Sequence, residues 1–178
     1  MTKNSLLDAE KEYMAGLLEA IERCVYFLSA SSQTIQWPLE GHYLALNKKN
    51  TKLFEALAAI NERFAKLQDT LGAAMRHSLV LSGEQADSFI KVLAIFEKAG
   101  VVQSIEAWQV ARAARNLAAH DYETDYELVA EHFNALRAQQ DTLFGTARRF
   151  RGYARESLKV TPLSSDFSQE FEQITRGS

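Results

Sequence analysis

Apolar residues recur at intervals of three and four along most of this sequence, the spacing that places them on one face of an α-helix. The stripe is clearest between about residues 44 and 78, where charged and amide side chains separate the apolar positions. No stretch alternates apolar and polar residues in the manner of a half-buried β-strand. The pattern predicts an all-α fold, an antiparallel helical bundle of about five helices. The first covers roughly 5–30 and the second 44–78, and the other three begin near Ser82, Ser104 and Asp125.

Residues with strong preferences for helix ends support these boundaries. Ser5, Ser104 and Asp125 each precede a periodic segment, and a short side-chain oxygen there accepts a hydrogen bond from the first turn. Gly100 is expected to end the third helix, because glycine adopts the left-handed conformation found at many helix ends. Gly72 lies inside the second helix, where glycine costs about 1 kcal/mol relative to alanine. We therefore expect the backbone of a neighbouring element to approach Gly72 closely.

Length and composition are those of one ordinary globular domain, with 178 residues, of which 47% are hydrophobic and 24% charged. We predict a helical domain over 1–160 and, around Pro162, the start of a loosely held tail over 161–178 that is rich in Ser, Gln and Glu. The single Cys24 excludes an internal disulfide and is expected in the core.

Charge and hydropathy narrow the function classes further. No apolar run reaches membrane-spanning length and the first residues do not resemble a signal peptide, so we expect a cytoplasmic protein without membrane contact. A net charge of -3 argues against a surface that coats nucleic acid broadly. Any contact with nucleic acid is therefore expected to be local.

The fourth helix ends in a concentrated group of polar residues, Ala114-Arg115-Asn116-Leu117-Ala118-Ala119-His120-Asp121-Tyr122. An arginine can hold a phosphate, and an imidazole takes and gives protons near neutral pH. The expected apolar face of this helix consists of small and aliphatic residues: Ala107, Val110, Ala114, Leu117 and Ala118. The opposite side carries the polar residues Gln109, Arg112, Asn116 and His120. A polar stripe on a central helix needs water, a ligand or a partner chain.

The spacing Arg115-Asn116-x-x-x-His120-x-Tyr122 resembles the signature of the HEPN (higher eukaryotes and prokaryotes nucleotide-binding) superfamily. That signature is an arginine followed, after four to six residues, by a histidine. The added asparagine and tyrosine are most similar to those of the bacterial toxins that are encoded beside a minimal nucleotidyltransferase antitoxin. The resemblance covers the motif, the all-α character and the helix that follows, over about 125–155.

This resemblance implies a metal-independent endoribonuclease that needs no cofactor and acts on RNA at a homodimer cleft. His120 would be general base or acid for the ribose 2′-hydroxyl and the leaving oxygen. Arg115 would stabilise charge on the phosphate, and Asn116 would orient His120 or the phosphate. Asn116 and His120 lie four residues apart and share a helical face. Arg115 and His120 lie about 140° apart on an ideal helix, which favours a site completed by the second subunit.

In the toxin subgroup, the tyrosine two residues after the histidine receives AMP from the antitoxin, which silences the nuclease. Tyr122 occupies that position here. The resemblance therefore implies a nucleotidyltransferase-type antitoxin as a partner and Tyr122 as a modification site. A charged nucleotide attached next to His120 would repel RNA and block its access.

Two other readings of the same residues stay open. The first is a non-catalytic HEPN protein that binds nucleotide or substrate, or regulates a nucleotidyltransferase. The second is a structural helical protein in which Arg115 pairs with an acid on a neighbouring helix and His120 caps its own helix. This second reading predicts a buried Arg115 salt bridge and no open polar groove.

Further cations are weaker candidates for RNA contacts. Near the end of the fifth helix, Arg148, Arg151 and Arg155 are mixed with aromatic residues and could guide phosphates, and Arg112 precedes the motif by one turn. The simpler interpretation, which we favour for the three C-terminal arginines, is that cations stabilise the end of a helix and face solvent.

No metal site is expected. A calcium loop at 121–132 lacks the required glycine, because Tyr126 stands there, and has His132 in place of the bidentate glutamate. A metal phosphohydrolase built on His120-Asp121 and His77 is a minor alternative, because the histidines show no close ligand spacing.

Overall fold

The computed structural model describes residues 3–118 and 124–178, with side chains described over 5–116 and 124–178. Within these ranges every regular element is helical, as the sequence predicts. The helices are α1 (Lys3–Gln33), α2 (Gly41–Leu46), α3 (Thr51–Ser82), α4 (Phe89–Lys98), α5 (Ile105–Ala118), α6 (Tyr126–Tyr153) and α7 (Ser168–Thr175). A π-helical turn over Ala154–Leu158 extends α6.

The two longest helices, α1 and α3, pack against each other along their length and run antiparallel. His77 Nε2, late in α3, lies 2.9 Å from the carbonyl oxygen of Glu10, which is early in α1. Arg63, in the first half of α3, donates to the carbonyl oxygen of Phe27 near the end of α1, at 3.3 Å. α6 packs across both and also contacts α2, α5 and α7. The core between these helices holds five fully buried phenylalanines: Phe64, Phe96, Phe133, Phe150 and Phe171.

Local hydrogen bonds confirm two of the predicted N-caps. Ser104 Oγ accepts from the amide of Ala107 at 2.9 Å, and Asp125 Oδ1 accepts from the amide of Glu127 at 3.1 Å. Gly100 follows α4 with a φ of 72°, the left-handed conformation expected of a residue that ends a helix. The N-cap predicted at Ser5 is wrong, because α1 already begins at Lys3.

The helix predicted over 44–78 is divided and displaced in the structure. α2 ends at Leu46, and α3 begins at Thr51, because the Asn50 side chain caps a new helix by accepting from the amide of Leu53 at 3.2 Å. The predicted number of five helices is therefore too low for the described residues.

The segment 161–178, which we expected to be a loosely held tail, contains the packed helix α7. Phe171 is fully buried, and Ser168 Oγ donates to Glu22 Oε2 on α1 at 2.9 Å. The amide of Leu163 donates to the carbonyl oxygen of Ala15 at 3.3 Å. Apolar residues at helical spacing hold this segment on the bundle despite its polar composition.

Among the described residues, no helix combines the length and apolarity needed to cross a lipid bilayer.

Candidate functional site

The buried face of α5 agrees only in part with the predicted one. Ala114 is buried as predicted, Trp108 and Ala111 are buried as well, and Val110, which we expected on the apolar face, is 46% exposed. Burial of the large indole of Trp108 removes more apolar surface from water than burial of a valine does, which favours the face that carries Trp108. Arg112 and Asn116 are both exposed on the outer side.

Arg115 is held by an acid on the neighbouring helix. Its Nη1 donates to Asp69 Oδ1 of α3 at 2.6 Å. The Arg115 side chain is 27% exposed and that of Asp69 is 63% exposed, so the pair is open to solvent rather than buried. Solvent-exposed pairs contribute about 1 kcal/mol or less to stability. The pairing with an acid on a neighbouring helix is the one that the structural reading predicted, but that reading expected the pair to be buried.

His120 and Tyr122 lie outside the described residues. The structure thus places Arg115 and Asn116 of the motif on the last turn and a half of α5, and the relation of these two residues to His120 stays a prediction.

The Arg115 side chain lines a cleft between α3 and α5, which we call the α3–α5 groove. It encloses about 350 Å³. Its lining combines cations, aromatic rings, an acid, an amide and small residues: Gln68, Asp69, Gly72, Ala73, Arg76, Phe89, Trp108, Arg112 and Arg115. Among the residues that the structure describes, three guanidinium groups and the carboxylate of Asp69 thus line a solvent-open cleft.

Aromatic side chains form one wall of this groove. The Arg76 guanidinium lies 4.8 Å from the centre of the Phe89 ring, a distance at which cation–π attraction operates. The Phe89 and Trp108 rings meet edge to face, with their centres 5.8 Å apart. Because Phe89 is only partly buried, its ring offers an apolar surface beside the cations. Such a combination suits a ligand that carries both phosphates and flat rings.

Gly72 and Gln68 shape the floor of the groove. A Cβ atom on Gly72 would lie 3.2 Å from Phe89 Cζ, so the close neighbour is an aromatic side chain and not the backbone that we expected. Gln68 Nε2 donates to the carbonyl oxygen of Trp108 at 3.2 Å, and the Gln68 side chain is buried. This amide joins α3 to α5 beneath the groove.

Sequence reasoning missed the part of the groove that α3 and α4 contribute, namely Asp69, Arg76 and Phe89. The sequence of α3 did contain a pattern that indicates this part of the groove. Asp69, Gly72 and Arg76 follow one another at helical spacing, so that a small residue lies between two charged ones on one face. Their contact with α5 could not be foreseen, because 46 residues separate Asp69 from Arg115.

The C-terminal arginines gather in a separate pocket. Arg148, Arg151 and Arg155 all line it, together with residues of the segment that leads into α7. Of the four weaker RNA-contact candidates, only Arg112 lies in the α3–α5 groove.

The proposed metal alternatives gain no support from the described residues. Among them, no group of three or more His, Cys, Asp or Glu side chains is placed to hold a metal ion. His77 Nε2 lies 3.3 Å from Glu10 Oε2, and its ring meets that of Tyr13 edge to face. His120 and Asp121, the other members of the suggested phosphohydrolase site, lie outside the described residues.

Comparison of the chain with protein-family models, with curated proteins and with solved structures gave no match. The helical-bundle description therefore rests on the helices themselves, and the resemblance to HEPN proteins rests on the motif, the all-α character and the helix that follows the motif.

Proposed function

We propose that this protein is a metal-independent endoribonuclease of HEPN type, in which RNA lies along the α3–α5 groove. The observation that carries the proposal is the position of Arg115, which shares an open groove with Arg76, Arg112 and the ring of Phe89. Guanidinium groups bind phosphate oxygens through paired hydrogen bonds, and aromatic rings stack on bases. The motif arginine thus lies where an RNA backbone would be bound.

In the proposed reaction the RNA supplies its own nucleophile. The ribose 2′-oxygen attacks the adjacent phosphorus while His120 accepts the hydroxyl proton, and the bond from phosphorus to the 5′-oxygen breaks. The departing oxygen takes up a proton from protonated His120 or from water, which leaves a 2′,3′-cyclic phosphate and a 5′-hydroxyl end. Arg115 stabilises the charge that develops on the phosphoryl oxygens, and Asn116 orients His120 or the phosphate. No metal or cofactor is required.

RNA cleavage in the presence of EDTA tests this proposal. We expect cyclic-phosphate products from the unaltered protein and a loss of at least about a hundredfold in rate on His120→Ala or Arg115→Ala. His42→Ala and Arg137→Ala are matched controls, since both residues lie outside the groove lining, and circular dichroism checks that each variant folds. Undiminished cleavage by His120→Ala or by Arg115→Ala would remove the mechanism.

We further propose that two subunits share each site. The test mixes Arg115→Ala subunits with His120→Ala subunits, after mild dissociation and reassociation. If arginine and histidine come from different chains, the mixed dimer regains one complete site and part of the activity. If both groups come from the same chain, the mixture stays inactive.

The proposal also includes Tyr122 as a modification site and a nucleotidyltransferase-type antitoxin as the partner that modifies it. The Tyr122 oxygen would attack the α-phosphorus of ATP, lose its proton and release pyrophosphate, with the antitoxin as catalyst. Incubation with a candidate antitoxin and ATP should add the mass of one AMP group to the protein but not to a Tyr122→Phe variant. RNA cleavage should fall in parallel.

The ion pair between Arg115 and Asp69 favours a second candidate, a non-catalytic protein that binds nucleotide or substrate, or regulates a nucleotidyltransferase. An arginine already held by a carboxylate can bind phosphate without taking part in chemistry. The EDTA experiment separates the two functions, because a binding protein retains RNA and leaves it intact.

A further inference from the structure

A second pocket lies at the other end of α6, where the chain turns back toward α7. It encloses about 570 Å³, within the size range of small-molecule sites. Its lining combines arginines, hydroxyl groups, an acid and a short apolar strip: Arg148, Arg151, Gly152, Arg155, Val160, Thr161, Pro162, Leu163, Ser164, Ser165, Ser168 and Glu172. We call it the serine–arginine pocket, and the proposed ribonuclease makes no use of it.

The three arginines of this pocket make different contacts. Arg151 is bound by acids on both sides, since its Nε lies 2.5 Å from Glu22 Oε1 and its Nη1 contacts Glu172. Arg148 is exposed and donates to the carbonyl oxygen of Arg176 at 3.3 Å, which leaves its other N–H groups available. Arg155 is 63% exposed and has only a 3.3 Å contact to the exposed Glu156. Arg148 and Arg155 are therefore the cations of this pocket that can bind an anion.

Hydroxyl groups and the start of α7 lie opposite these cations. Ser164 and Ser165 line the pocket, and so does Ser168, the first residue of α7. The N-cap of α7 is Phe167, which supplies no side-chain hydrogen bond to the first turn. The hydroxyls of Ser164 and Ser165 add hydrogen-bond donors to the two guanidinium groups, whereas Ser168 donates its hydroxyl hydrogen to Glu22 and its amide hydrogen to the Ser165 carbonyl oxygen.

An apolar strip borders the same pocket. Val160 is buried and Pro162 half-buried, and Leu163 is 59% exposed. The two exposed arginines and the exposed leucine give the pocket an anion-binding subsite and an apolar subsite. Inorganic phosphate fills only the first of these.

We propose that the serine–arginine pocket binds a small phosphate monoester. The phosphate lies between Arg148 and Arg155 and accepts hydrogen bonds from the hydroxyls of Ser164 and Ser165, while the organic group lies against Leu163. Two guanidinium groups and two hydroxyls match the donors that a phosphate dianion requires.

Isothermal titration with phenyl phosphate, inorganic phosphate and benzyl alcohol tests this assignment on the full-length protein. We expect phenyl phosphate to bind at least about threefold more tightly than inorganic phosphate, and benzyl alcohol not to bind at up to about 10 mM. The double variant Arg148→Gln/Arg155→Gln should weaken phenyl phosphate binding at least about tenfold. Leu163→Ala should weaken phenyl phosphate but not inorganic phosphate.

A matched control tests whether the loss of affinity is specific to the arginines of this pocket. Arg137→Gln removes a cation of α6 that lines neither this pocket nor the α3–α5 groove, and should leave phenyl phosphate binding unchanged. Because Arg148 and Arg155 are exposed, we expect the double variant to keep the unfolding temperature of the unaltered protein. Phosphorus NMR of phenyl phosphate provides a second readout, with line broadening that the double variant abolishes.

Two results would overturn the proposal. The first is absence of phenyl phosphate binding at about 10 mM, and the second is equal binding by the double variant. If phenyl phosphate does not bind and the double variant also loses affinity for a single-stranded RNA oligonucleotide, the pocket is an RNA contact instead. None of these measurements involves RNA cleavage, so a failure of the phosphate-monoester proposal can be distinguished from a failure of the proposed ribonuclease function.

Discussion

Arg115 of α5 donates a hydrogen bond to Asp69 of α3, with Nη1 and Oδ1 2.6 Å apart, at the edge of an open groove. The carboxylate occupies hydrogen-bonding groups of the guanidinium that a phosphate would use. Because Asp69 is 63% exposed, water and salt weaken the pair, and an incoming phosphate competes with a carboxylate that is easily displaced. Asp69 is thus expected to set the strength with which the groove binds an anion.

The first prediction concerns this competition. Asp69→Asn removes the negative charge and most of the attraction to Arg115, so single-stranded RNA should bind more tightly. A competing ion pair of about 1 kcal/mol corresponds to roughly a fivefold change in Kd. Fluorescence anisotropy with a labelled oligonucleotide measures the change, with His120→Ala also present to prevent cleavage.

Asp141→Asn is the matched control for this prediction. It removes one exposed carboxylate that pairs with Arg137 on α6, at 3.6 Å, and neither residue lines the groove. An equal gain in affinity in both variants would show that overall charge, and not release of Arg115, controls binding.

The second prediction tests whether the groove itself holds RNA. Ala73 is exposed and lines the groove on α3, so Ala73→Trp fills the cleft without disturbing the core. We expect RNA affinity to fall at least about tenfold, because phosphates lose access to Arg112 and Arg115. Ala58→Trp places the same side chain at an exposed position on the same helix, outside the groove lining, and should leave affinity unchanged. If both variants bind as tightly as the unaltered protein, RNA lies elsewhere.

The sequence predicted those features that depend on residues close together in the chain. The caps at Ser104 and Asp125 are formed by bonds to amides two or three residues away, so a local pattern identifies them. The all-α fold follows from periodicity in the same way. The division between α2 and α3 was missed because the apolar period continues past Asn50, whereas the Asn50 cap starts a new helix.

Only part of the candidate site could be predicted from the sequence. Arg115 was singled out by its motif spacing and lines the groove, whereas Asn116 does not line it, and Asp69 and Phe89 reach the groove through packing between helices that are distant in the chain. The buried face of α5 was predicted only in part because the alanines of this helix give several faces a similar weak apolarity, and Trp108 was not counted on the apolar face. α7 was missed because Ser, Gln and Glu outnumber Phe171 and the few apolar residues around it.

The third prediction concerns pH and the ion pair between α1 and α6. Glu22 is 1% exposed, and burial raises the pKa of its carboxyl group above the usual value, although the Ser168 hydrogen bond and the Arg151 charge act in the opposite direction. Between the ordinary and the raised pKa, the folded protein holds more protons than the unfolded chain. Its free energy of unfolding therefore falls as pH rises through this interval.

Glu22→Gln cannot titrate and should lack this fall. Urea unfolding across mildly acidic to neutral pH gives the free energy of unfolding of both proteins, and we expect the value for the unaltered protein minus that for the variant to decrease as pH rises. For Glu84→Gln, at an exposed position, the free energy of unfolding of the unaltered protein minus that of the variant should show no such decrease. A difference that increases with pH would mean that Arg151 lowers the pKa of Glu22 more than burial raises it.

The fourth prediction concerns the attachment of α7. Phe171 is fully buried, and the Arg151 guanidinium lies 5.3 Å from the centre of its ring. Phe171→Ala should lower the free energy of unfolding by about 3–5 kcal/mol, the usual cost of emptying a buried phenylalanine site. Gln173→Ala, at an exposed position of the same helix, should change it by about 0.5 kcal/mol or less. A loss below about 1 kcal/mol for Phe171→Ala, measured by urea unfolding, would mean that α7 is not packed on the bundle in solution. The wall that α7 gives to the serine–arginine pocket would then be lost as well.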